Sequence, residues 1–90
     1  MNAKIILVIL HGSACDKLSH YLIDAGFRVT EFSSTGGFLR RKSMTLIIGV
    51  SSDKVEEGLA LVRSVCPTSE NPDEHNATIF VLDAEQFLHI

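Results

Sequence analysis

The stretch EFSSTGGFLRRKSMTLIIGV, Glu31 to Val50, places adjacent glycines, an aromatic and three consecutive cations between two apolar runs. Gly36 and Gly37, with Thr35 before them, let backbone N–H groups approach an anion without a Cβ in the way. Phe38 and Leu39 supply a flat apolar surface, and stacking a base on an aromatic contributes about 1–3 kcal/mol. Arg28, Arg40 and Arg41 can each fork onto phosphate oxygens. Thr30, Ser43 and Thr45 add hydroxyls for recognising the edge of a base. Phosphate donors beside an aromatic platform describe a site for a nucleotide. Each feature also has a plainer role: the glycines as a turn, Phe38 as a packing residue between subunits, and the cations as a solvated loop tip. Gly49, further along, can equally mark a strand bulge.

Other chemistries are less well supplied. Gly36 to Ser43, GGFLRRKS, is one residue from G-x-x-x-x-G-K-S, but Arg41 stands where the second glycine belongs. A phosphate-binding loop of that kind opens a helix, whereas this segment runs into the strand-like MTLIIGV. His11, Cys15 and His20 lie close in sequence, yet Gly12 and Ser13 break the helical register that would align them on one metal. No nucleophile has an evident base and orienting partner. No catalysis, metal or cofactor is expected. Cys15 and Cys66 are expected to be separate small core residues of a reducing compartment, not a bridge.

Ninety residues make one domain, able to bury roughly 60–65% of the surface of its unfolded chain. A composition of 46% hydrophobic and 21% charged residues is that of a globular chain, not a disordered one. The net charge of −3 argues against a nucleic-acid polymer as partner, because such binding rests on a basic face. Ile5 to Leu10 is far too short to span a membrane, and the first residues lack the pattern of a signal peptide. A cytoplasmic location is expected.

The elements that must position these residues follow from periodicity. Lys4 to Leu10 and Met44 to Val50 are apolar on both faces and rich in β-branched residues, as in strands at the centre of a sheet. Ser13 with Asp16 offers a helix start, and Leu18, Tyr21, Leu22 and Ala25 form one stripe, closed by Gly26. Phe27 to Phe32 reads as a strand of mixed polarity. A second helix opens at Asp53, carries Val55, Leu59, Val62 and Cys66 on one face, and stops at Pro67. A polar loop, Pro67 to Asn76, precedes a last strand, Ala77 to Leu82, and Asp83 to Phe87 can form a terminal turn. The order βαββαβ with right-handed crossovers gives a ferredoxin-like α+β fold, with four antiparallel strands and both helices on one face. The other sheet face then presents large apolar side chains, so self-association is expected.

FRVTEFSSTGGFLRRKSMTLIIGV together with ATIFVLDAEQFLHI resembles the PII-like cyclic-di-AMP receptors of bacteria, part of the nitrogen regulatory PII superfamily, through almost the whole chain. The resemblance implies a homotrimer with its sheets turned inward and adenine-nucleotide sites in the clefts between subunits. It implies ligand contacts at Arg28, Thr30, Gly37, Phe38, Leu39 and Gly49. Three departures stand out: Ser43 replaces an asparagine, His89 replaces a C-terminal glutamine, and the loop Pro67 to Asn76 is shortened. Cyclic-di-AMP is the expected ligand, with another adenine nucleotide or a ligandless adaptor trimer as alternatives. The loop Ser33 to Ser43 would relay binding to an unidentified protein target.

Overall fold

The computed structural model describes residues 3–12, 15–36, 39–66 and 76–84, and their side chains outside 34–42. Strand β1 spans Ala3–His11, β2 Arg28–Gly36, β3 Leu39–Ser51 and β4 Ala77–Ala84. Helix α1 spans Leu18–Asp24 and α2 Val55–Val65, the latter preceded by a 3-10 turn over Ser52–Lys54. The sheet order is β2-β3-β1-β4, with every neighbouring pair antiparallel. This is the ferredoxin-like arrangement, and the two continuous apolar runs do occupy its centre.

Alternation along the central strands separates two surfaces. Ile6, Val8 and Leu10 of β1, with Leu46 and Ile48 of β3, are buried together with Leu18, Leu22 and Val62 of the helices. Burying side chains of this size contributes about 1.5–3 kcal/mol each, so this layer holds the helices to the sheet. Gly58 on α2 lets the helix lie close: a Cβ there would stand 3.0 Å from Ile6 Cδ1. The alternate residues face away from the helices. Ile5, Leu7 and Ile9 of β1 stand opposite Gly49, Ile47 and Thr45 of β3 and opposite Leu82, Phe80 and Thr78 of β4. Phe80 and Leu82 remain 46% and 48% exposed, and Phe32 of β2 is 56% exposed. The apolar open face is therefore real, and it extends onto the edge strand β4.

Several boundaries differ from those the sequence predicts. Helix α1 begins at Leu18, after a turn in which Leu18 N–H donates to the Cys15 carbonyl at 3.0 Å. Its buried residues are Leu18, Ser19 and Leu22, while Tyr21 is half exposed, so the helix is shorter and its stripe narrower than expected. Gly26 does close it, at φ +94°. The hairpin is longer than expected. β2 continues to Gly36 and β3 starts at Leu39, so most of the expected Ser33–Ser43 loop is strand, with an irregular register between Ser34 and Gly36. Asp83 and Ala84 belong to β4, where Asp83 forms an ion pair with Lys4 on the neighbouring strand. The remainder of the expected terminal turn, and most of the Pro67–Asn76 loop, lie outside the described residues.

The cysteines require a correction. Cys15 and Cys66 are joined as a disulfide, with Cα atoms 5.1 Å apart. Cys15 follows β1 and Cys66 follows α2, so the antiparallel course of the two helices brings their sulfurs together at one end of the sheet. Cys15 is also a core residue, only 2% exposed, so burial and pairing coincide.

Candidate functional site

The two strands of the hairpin bring four expected site residues onto one surface. Arg28 stands directly opposite Gly49, Thr30 opposite Ile47, and Ser34 opposite Ser43. Because side chains alternate along a strand, Arg28, Thr30, Ser43 and Gly49 all belong to the open face. Arg28 and Thr30 are exposed, and β2 is an edge strand, so a ligand or a second chain can reach both. At Gly49 nothing lies within 4 Å of where a Cβ would stand. The glycine makes no bulge. It leaves a notch beside the Arg28 position in an otherwise continuous strand.

Gly49 and Arg28 also line a pocket of about 220 Å³ where the end of α1, the start of β2, the end of β3 and the start of α2 meet. Arg28, Gly49, Ser51, Lys54 and Glu57 line it, with Phe27 among the apolar groups. Gly26 lies at its rim, where its left-handed conformation turns the chain from α1 into β2. Lys54 Nζ donates to Glu57 Oε2 at 3.3 Å. The Ser51 hydroxyl beside the Asp53 carboxylate, with the Asp53 backbone N–H, holds that carboxyl below its ordinary pKa. Two cations, Arg28 and Lys54, and one carboxylate, Glu57, thus line a concave surface, an arrangement suited to phosphate or carboxylate oxygens.

The opposite end of the open face is polar in a different way. His11 stands opposite Ser43 across the β1–β3 ladder, and His11 Nε2 lies 3.3 Å from Thr78 Oγ1. Ser43 therefore stands beside a small group of hydroxyl and imidazole side chains.

Sequence reasoning reached some of this set and missed the rest. Arg28, Thr30, Ser43 and Gly49 are brought together on one face. Gly36 pairs with Leu39 at the hairpin end. The side chains of Thr35, Leu39 and Arg40, and all of Gly37, Phe38 and His89, lie outside the described residues. Ser51, Lys54 and Glu57 were not singled out, because on the chain they read only as the polar start of a helix. Their sole sequence signal is the i, i+3 spacing of Lys54 and Glu57. Among the described residues no three His, Cys, Asp or Glu side chains gather in a way that could hold a metal.

Comparison with known proteins places this geometry in context. A family model described as cyclic-di-AMP receptor matches residues 3–72. A functionally unknown protein from Pediococcus pentosaceus is 30% identical, with a TM-score of 0.80 over 100% of this chain and 99% of its own. Two further solved structures share the fold at lower identity. CPII from Thiomonas intermedia, bound to ADP, AMP and acetate, is 19% identical, with a TM-score of 0.66 over 92% of this chain and 86% of its own. PII from Arabidopsis thaliana, bound to citrate, is 24% identical, with a TM-score of 0.70 over 92% of this chain and 78% of its own.

Proposed function

Since this chain belongs to the cyclic-di-AMP receptor family, we propose that it is a PII-like signalling protein that binds an adenine nucleotide, foremost cyclic-di-AMP, and catalyses nothing itself. The observation that carries this reading is the cross-strand placement of Arg28 against Gly49, beside Thr30, on an open face that can receive a second copy. Arg28 would fork onto a phosphate, Thr30 would meet the ribose or base edge, and the absent Cβ at Gly49 would leave room for the sugar-phosphate backbone. Three copies packed through their open faces would form the clefts, in keeping with the apolar side chains of β1, β3 and β4. Ligand would favour one arrangement of the β2–β3 hairpin, and a protein target would read that arrangement.

The neighbour bound to ADP and AMP supports keeping other adenine nucleotides in view, and the exchange of asparagine for Ser43 supports it further. A thermal-shift panel of cyclic-di-AMP, ATP, ADP and AMP tests the reading. Cyclic-di-AMP should raise the melting temperature most. Arg28→Ala should remove charge-assisted hydrogen bonds of about 1.5–3 kcal/mol, weakening affinity roughly ten- to a hundredfold. Arg28 is exposed and makes no described core contact, so the variant should keep the melting temperature of the free protein. A wild type unmoved by the whole panel would favour the ligandless adaptor trimer.

A further inference from the structure

The pocket contains one cation that the family resemblance does not account for. Lys54 lines the same concavity as Arg28 but arrives from the other side, on the turn that leads into α2. Its ammonium is held by Glu57, one helical turn on, and both side chains are 57% exposed. An exposed ion pair at this spacing contributes little to stability, so the lysine can leave its partner at small cost. A lysine ammonium on a flexible stem also suits a second, less directional contact beside an arginine fork.

We propose that Lys54 is a second phosphate-binding cation of this site, and that Glu57 is the counterion it exchanges for ligand. The assignment rests on the nucleotide reading given above and deepens it. The Glu57 carboxylate neutralises Lys54. When phosphate oxygens enter beside Arg28, the ammonium turns to them and Glu57 returns to water. Glu57 then acts against binding in two ways, by holding the lysine back and by repelling the anion. Lys54 and Glu57 should therefore tune affinity in opposite directions.

The test is equilibrium binding of cyclic-di-AMP and of ADP to the full chain and its variants at fixed ionic strength. Lys54→Gln should weaken binding roughly five- to twentyfold, and Lys54→Arg should retain wild-type affinity because the charge is kept. Glu57→Gln should tighten binding roughly two- to fivefold. A purely structural role for the pair would move the melting temperature of the free protein and would give both variants the same sign. Undiminished binding by Lys54→Gln, with binding lost in Arg28→Ala, would overturn the assignment of Lys54 while the nucleotide reading stands. Equal or weaker binding by Glu57→Gln would overturn its role as counterion. A wild type that binds neither probe would overturn both the assignment and the reading beneath it.

Discussion

Reduction of the Cys15–Cys66 disulfide is expected to lower the melting temperature by roughly 10–25 °C. The bridge closes a segment with a sequence separation of 51, and chain entropy for a loop of that length amounts to about 4 kcal/mol at 25 °C. In a chain of 90 residues each kcal/mol moves the midpoint by roughly 4–8 °C, and measured bridges commonly deliver somewhat less than the entropic figure. The position of the bridge reinforces the argument. It ties the turn before α1 to the residue after α2, the two places where the helices leave the sheet at the same end. Thermal melts with and without a dithiol reductant check this, with the Cys15→Ala/Cys66→Ala variant as the reduced-state control. That variant should melt low and ignore reductant. A wild type equally indifferent to reductant would show two unpaired core thiols and would restore the expectation drawn from composition.

The second large effect concerns the open face. Leu7 stands at its centre, between Ile47 of β3 and Phe80 of β4, and points away from the helix-side core. Leu7→Asp should leave the ferredoxin-like subunit folded, because the core layer of Ile6, Val8, Leu46 and Ile48 is untouched. In a trimer packed through this face, each copy would bury an unpaired carboxylate, which costs several kcal/mol. Native mass spectrometry at micromolar concentration should then show the wild type as a trimer and Leu7→Asp as a monomer. A shift of at least a hundredfold in the dissociation constant corresponds to about 2.7 kcal/mol, well within that cost. A monomeric wild type, or a variant that assembles as before, would mean that the apolar face is not the interface.

The parts of the fold that were legible are those in which local pattern and tertiary burial agree. Ile5 to Leu10 and Met44 to Val50 are apolar on both faces because one face packs the helices and the other forms the open surface, so their central places in the sheet followed. The hairpin was less legible. Ser33, Ser34 and the run Arg40 to Lys42 are polar and read as loop, yet strand formation does not depend on side-chain polarity; Ser33 and Ser34 lie on the edge strand β2, and Arg40 to Lys42 on the stretch of β3 beyond the β1 ladder, which ends at Ser43. The start of α1 was misplaced because Ser13 and Asp16 satisfy a local capping pattern, whereas the turn at Cys15 is held by a partner 51 residues away. That pairing is a tertiary fact, and two cysteines in a small chain carry no spacing signal that reveals it. The lining of the pocket divides in the same way. Arg28 was singled out by its chemistry and by resemblance, and Gly49 by resemblance, but their facing positions depend on strand register. Lys54 and Glu57 were not singled out, because a helix-start charge pair looks alike whether it lines a pocket or faces bulk water.

Isothermal titration of cyclic-di-AMP into the wild-type protein tests the central claim most directly. A site at the Arg28–Gly49 edge, completed by a neighbouring copy, predicts saturable binding with one nucleotide per subunit, and an isotherm that weakens at least tenfold in Arg28→Ala. An isotherm that shows no saturable heat with cyclic-di-AMP, nor with ATP, ADP or AMP in its place, would contradict the account.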